Sequence, residues 1–240
     1  YDSDYHYQVC WIIHTYFYPL FDYTPYNDLV GSKGTGKSKA IRFLETLCYN
    51  GFISGNASAS TIFRTVQGTG ATLLLDEAED LKGGKDDQLD KENMLRNGNY
   101  KHGIVTRAGN KNVNFLPESF SVYSPKALGH INSVDEVLAD RCLPTETTPS
   151  TNLNILKAHP DRDLEIIYKE REKMYRLWLD YAVEVKDLIP KAQSVIEDTG
   201  IWGREMDLWL PLVTIALFLQ EHGVEKVLDK IIAKIKIVSQ

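Results

Sequence analysis

The eight residues Gly31-Ser32-Lys33-Gly34-Thr35-Gly36-Lys37-Ser38 constrain this chain more than any other stretch. They fit the spacing G-x-x-x-x-G-K-[ST], follow the apolar pair Leu29-Val30, and precede a helical pattern from Lys39 to Tyr49. Strand, glycine loop and helix in that order are the context of a phosphate-binding loop. Glycines let the backbone curl so that several N–H groups face one anion, and the helix N-terminus adds its partial positive charge. In such a loop Lys37 reaches the β- and γ-phosphates, and the Ser38 hydroxyl is a ligand for Mg²⁺. Read alone, the stretch could also be a glycine-rich surface turn.

A second motif makes that alternative weaker. Ala71-Thr72-Leu73-Leu74-Leu75 reads as a buried parallel strand and runs into Asp76-Glu77. Open α/β sheets bind ligands at the carboxyl ends of their strands, where these carboxylates fall. Asp76 is the candidate to hold Mg²⁺ through water, and Glu77 the candidate to accept a proton from an attacking water. The alternative is a buried strand ending in the acidic turn Glu77-Ala78-Glu79-Asp80.

Composition sets outer limits. The chain has 240 residues, 43% hydrophobic and 25% charged, with net charge −6. That suits one large soluble domain, or one domain with a lid. An acidic total argues against a broad nucleic-acid-coating surface, but leaves room for a local basic channel. Cys10, Cys48 and Cys142 lie far apart without a C-x-x-C pair, which points to a reducing, cytoplasmic setting and no zinc site. The longest apolar run, Leu208 to Leu219, is too short to span a bilayer. Because residue 1 is Tyr, a trimmed chain or a missing upstream domain is expected.

Periodicity divides the rest. Residues 1–25 are rich in tyrosine, with a mostly apolar helix expected from Val9 to Leu20. Packing on the sheet is expected of these rings, a base-stacking platform being the sharper alternative. A helix is expected over Ser58 to Val66, where Arg64 could face nucleotide, a neighbouring subunit or solvent. Another is expected over Gln88 to Arg96. Gly103 to Arg107 and Val113 to Phe115 read as a hairpin with the tip Ala108-Gly109-Asn110-Lys111-Asn112, and Phe120 to Tyr123 as the next core strand. A short helix over Ser133 to Ala139 and an edge strand or loop after Asp140 follow. From residue 160 helical spacing takes over, broken at Pro190, with Ile231 to Val238 open between helix and strand. The expected fold class is α/β: a parallel sheet sandwiched by helices as in P-loop NTPases, then an α-helical lid. The boundaries are 1–25 for a helical lead-in, 26–155 for the core and 156–240 for the lid.

The order of these features resembles that of an AAA+ ATPase. The hairpin ahead of the fourth core strand is similar to the pre-sensor hairpin of superfamily 3 helicases. More closely, the chain resembles an ATPase family of phage, plasmid and archaeal mobile elements that is linked to primase or replication modules. The stretches are GSKGTGKS (31–38), LCYNG (47–51), IFR (62–64), LLLDEAE (73–79), NGNYKHGIVTR (97–107), YSPKAL (123–128), ADRC (139–142) and GREMDLWLPL (203–212). The resemblance implies ATP and Mg²⁺ as cofactors, DNA, single- or double-stranded, as partner, and self-association into a ring, a hexamer foremost. It implies that Ser124 orients water at the end of the fourth strand. Arg141 matches an arginine finger that reaches a neighbour's γ-phosphate, and Arg204 a lid arginine that meets the γ-phosphate of its own subunit. Arg107 and Lys111, with Lys101 as a further candidate, would face DNA in the ring pore. Local alternatives are a salt bridge for Arg141, a helix-start position for Arg204 and a solvated turn for Lys111.

Two functions from different classes follow: an ATP-driven helicase or translocase, and a nucleotide-switched scaffold or loader that separates no strands. A small-molecule kinase fits the Asp-Glu pair and helical lid poorly.

Overall fold

The computed structural model describes residues 2–55, 57–76, 86–107, 116–131, 136–160 and 164–239. Its centre is a sheet of five parallel strands: β1 (Tyr26–Val30), β2 (Phe52–Ile53), β3 (Leu73–Asp76), β6 (Lys126–His130) and β7 (Cys142–Glu146), in the order β2-β3-β6-β1-β7. Two further strands, β4 (Ile104–Arg107) and β5 (Glu118–Ser121), pair antiparallel outside this sheet.

Strand alternation sorts side chains into two cores. Leu29, Leu74, Ala127 and Leu143 join one cluster, while Tyr26, Leu73, Leu75, Leu128 and Cys142 join the other. The first face is covered by α1 (Asp2–Phe17), α2 (Lys37–Leu47), α7 (Leu164–Asp187), α8 (Ile189–Glu197), α9 (Gly203–Glu221) and α10 (Val227–Val238). The second is covered by α3 (Ala59–Thr69), α4 (Asp86–Asn97), the four-residue α5 (Glu136–Ala139) and the β4–β5 hairpin. One more short helix, α6 (Leu153–Lys157), follows β7. The fold is therefore α/β, a parallel sheet between two helical layers.

Helix ends follow local chemistry. The Ser58 side chain accepts the Thr61 N–H at the start of α3, and Gly70, at φ 62°, ends it. Pro190 falls in the first turn of α8, where its missing N–H is no loss, so it opens a helix as well as ending the periodicity of α7. Residues 227–238 form a helix. The long apolar run lies in α9, buried from Pro211 to Phe218. Among the described residues no helix is long and apolar enough to cross a membrane.

The N-terminal helix is a core element. Tyr7 and Trp11 are fully buried, and their polar ends reach the Leu143 carbonyl at 3.2 Å and the Pro25 carbonyl at 3.0 Å. Lys234 of α10 pairs with Asp4 of α1 and donates to the Pro144 carbonyl at 2.9 Å.

One strand expectation is corrected. The core strand beside β1 is Lys126–His130; of the stretch expected to be that strand, Phe120 and Ser121 belong to β5 of the hairpin, and Val122 and Tyr123 to neither strand. Two polar letters hide this strand. Lys126 is 0% exposed, and its ammonium donates to the carbonyls of Gly98 (3.0 Å), Val122 (2.9 Å) and Ser124 (2.9 Å) and lies over the Tyr26 ring. Burial lowers the pKa of that amine well below the usual lysine value. The expected second hairpin strand, 113–115, lies outside the described residues.

Candidate functional site

The loop between β1 and α2 is built for an anion. Gly34 and Gly36 sit at φ 84° and 94°, a left-handed conformation that side-chain-bearing residues avoid. Gly31 is needed for a different reason: an added Cβ would stand 2.2 Å from Thr147 Oγ1 and 2.5 Å from the Thr147 carbonyl. The chain leaving β7 thus braces the loop, and Thr35 Oγ1 hydrogen-bonds Thr147 Oγ1 at 2.7 Å. Among the described residues no side chain caps α2, which leaves its helix-start N–H groups to a ligand. Lys37 Nζ donates to the carbonyls of Gly31 (2.6 Å) and Ser32 (2.9 Å), which holds the amine over the loop.

Strand order decides what meets this loop. Because β6 runs between β1 and β3, its carboxyl end separates the loop from Asp76. Asp76 pairs in register with Gly129, and Val30 with His130. A cavity of about 400 Å³ is lined by Gly34, Gly36, Lys37, Ser38, Asp76 and His130, among others. Ser38 and Asp76 are hard oxygen donors of the kind Mg²⁺ takes, alongside phosphate oxygens and water. The glycine cradle, the lysine and this donor pair fit a nucleoside polyphosphate with Mg²⁺. Glu77 lies outside the described residues.

The other expected site residues are elsewhere. Ser124 is fully buried ahead of β6, at the opposite end of that strand from the cavity, where its carbonyl and hydroxyl accept from Lys126. Arg141 and Arg204 also lie at that amino edge. Tyr26 pairs with Cys142 and Val30 with Glu146, so Arg141 and the glycine loop flank opposite ends of one strand pair. Four steps of about 3.3 Å separate those ends, roughly 13 Å. Arg141 Nε donates to the Arg96 carbonyl at 2.7 Å and Nη1 to the Val137 carbonyl. Its pKa is lowered, first by burial and then by Arg204. Asp140 pairs with Arg204, at 3.7 Å.

Arg107 is turned into the fold. It pairs with Asp90 of α4 and lies over the Phe63 ring. Arg64 mirrors it, with Glu118 at 3.3 Å and the Phe120 ring beneath. Lys101 donates to the Pro19 carbonyl at 2.9 Å, and Lys111 lies outside the described residues.

No protein-family profile matches the chain, and no curated protein does. Three solved structures of JCV helicase are similar in chain course. One carries a bound inhibitor and is 16% identical, with TM-score 0.40 and coverage of 86% of this chain and 63% of that one. A second is 11% identical, with TM-score 0.38 and coverage of 100% and 61%. A third, bound to a thiazolopyridine acetamide compound, is 13% identical, with TM-score 0.39 and coverage of 99% and 66%. This chain therefore spans less than two thirds of the length of each. No residue role is carried over at these values.

Two residues at the site carry no sequence motif. His130 is buried at the end of β6, and its Nε2 bonds the Asp28 carboxylate on β1. Lys39 donates to the carbonyls of Ile155 (2.8 Å) and Leu156 (3.0 Å), tying α6 to the start of α2. The partners of both lie over a hundred residues away in sequence, which is why no local signal reveals them.

Proposed function

We propose that this chain is a Mg²⁺-dependent ATPase that works on nucleic acid as a ring-forming helicase or translocase in replication of a mobile element. The observation that carries the reading is the convergence of Lys37, Ser38 and Asp76 on one cavity at the carboxyl edge of the sheet. Bound Mg²⁺ would neutralise phosphate oxygens there. Lys37 leaves its loop carbonyls for the β- and γ-phosphates, and the glycine loop and α2 N-terminus hold the same oxygens through N–H groups. Ser38 and Asp76 would hold the metal, and Glu77, next along the chain, would take the proton of the attacking water. His130 lies between the two motifs, so it replaces Ser124 as the candidate polar group beside the γ-phosphate.

Arg141 and Arg204 lie at the opposite edge from their own loop, so any part they take in hydrolysis is on a neighbouring copy. That supports a ring with shared sites and speaks against an own-subunit role for Arg204. Hydrolysis would be read out by residues 156–240 moving against the core, with Lys111, which falls between β4 and β5 in sequence, meeting DNA.

Lys37→Ala tests the central assignment: ATP affinity should fall by orders of magnitude, measured by calorimetry on folded protein. Wild-type affinity in that variant would refute the phosphate-loop role. The second reading, a nucleotide-switched scaffold or loader, is favoured by one observation: Arg107 is paired with Asp90 and is not displayed to a strand. Lys111→Ala separates the two. Lost DNA binding with intact ATPase favours the translocase, and unchanged DNA behaviour favours the switch.

A further inference from the structure

A second concavity, about 600 Å³, opens at the amino edge of the sheet, remote from the phosphate loop and sharing no lining residue with it. Three guanidinium groups line it, Arg96, Arg141 and Arg204, against one carboxylate, Asp207. This basic lining stands out on a chain of net charge −6. The Asp140 carboxylate reaches Arg204 only at 3.7 Å. Burial and the neighbouring Arg204 both disfavour the charge on Arg141. An anion in the cleft would relieve that repulsion and accept the geometry that guanidinium forks favour.

Two further features specify more than an anion. Asn99 in the cleft wall is 3% exposed, and its Nδ2 has no hydrogen-bond partner among the described residues. A buried amide N–H₂ left unpaired is costly, and an acceptor atom on a ligand would satisfy it. Beside it Tyr100 is 39% exposed, its ring centroid 5.0 Å from that of Tyr23 at a tilt of 33°. The two rings form an aromatic shelf next to the arginines. Aromatic faces beside guanidinium groups suit a base joined to a phosphate.

We propose that this cleft binds one nucleoside phosphate, with the phosphate on Arg96 and its arginine neighbours and the base on the Tyr100 shelf. The unit comes either as a free nucleotide or as one residue of a single strand. The cleft leads into Ile104, the first residue of β4, so a strand bound here would continue along the hairpin. A nucleotide held by a neighbouring copy would bring its phosphates but keep its base in that copy's own site, leaving the tyrosine shelf without a role.

The test uses the whole chain saturated with ADP and Mg²⁺ to occupy the phosphate loop. dTMP and an oligothymidylate are then titrated by calorimetry into wild type, Arg96→Ala and Tyr100→Ala, and, without ADP, into Lys37→Ala. The expected result is one dTMP per chain, weakened about tenfold or more by Arg96→Ala and by Tyr100→Ala, and unchanged by Lys37→Ala. Binding of the oligomer far tighter than dTMP would identify a strand as the source. Equal affinities would identify a free nucleotide. The proposal is overturned if ADP-saturated protein takes up neither probe, if Lys37→Ala abolishes uptake, or if the two variants alter only self-association. Should ADP itself fail to bind, dTMP uptake that still depends on Tyr100 would keep this inference while the phosphate-loop reading fell.

Discussion

His14 lies within α1 with its ring fully buried, Nε2 at 3.3 Å from Thr24 Oγ1 and Nδ1 without a partner among the described residues. Burial pushes its pKa down to about 3, so the folded protein holds it neutral. The unfolded chain takes up that proton near pH 6.5. Its contribution to stability is therefore complete above that pH and is lost as pH falls from there toward 3, by up to about 1.4 kcal/mol per pH unit. Urea unfolding of wild type and His14→Gln between pH 7 and 4 should show a shallower loss in the variant. Equal slopes would mean that His14 titrates alike in both states. At this scale the glycine loop was legible because its geometry is local: glycines at left-handed φ, then a lysine and a serine. Lys126 and His130 were not, because a buried charge or ring is tolerated only through partners such as Gly98, Val122 and Asp28, which spacing along the chain does not reveal. Replacing Lys126 with Met leaves three carbonyls with one donor fewer. A cost of about 1–3 kcal/mol in denaturant unfolding is expected. No loss would contradict a clamp there.

Among the elements, the hairpin is held from both ends of its width. Arg107 joins β4 to α4 through Asp90, and Arg64 of α3 meets Glu118 and Phe120 of β5. Partly exposed pairs of this kind are worth up to about 1 kcal/mol each. Arg107→Ala should thus leave the melting temperature within a few degrees of wild type, yet speed hydrogen exchange of amides in 104–107 and 118–121. Unchanged exchange there would mean the pair does not pin the hairpin. The hairpin itself was legible from β-prone runs around a glycine-asparagine tip. The stretch that pairs with β4 was not, because Glu118 to Ser121 carries three polar letters, with Phe120 alone buried. The same weakness hid β6, and it moved the expected water-orienting residue to the wrong end of that strand.

For the whole molecule, the two cores explain what a division at residues 25 and 155 leaves out. Leu29, Leu74, Ala127 and Leu143 of the sheet share one cluster with α1 and with α7 to α10. Of the N-terminal tyrosines, whose rings are expected to pack on the sheet, Tyr7 and Tyr16 are buried and their hydroxyls reach the carbonyls of Leu143 and Leu47. Trp11→Ala should cost about 3–5 kcal/mol and unfold both ends of the chain together. Loss of the C-terminal helices alone, seen by exchange or limited proteolysis, would argue for independent units. Above the single chain, the arginines at the amino edge serve hydrolysis only if a neighbour's phosphate loop meets them. The most direct measurement is steady-state ATP turnover per chain against protein concentration, in wild type and in Arg141→Ala. Turnover that rises with concentration and falls by orders of magnitude in the variant is expected for sites shared between copies. Turnover that is flat with concentration and equal in the two proteins would contradict it.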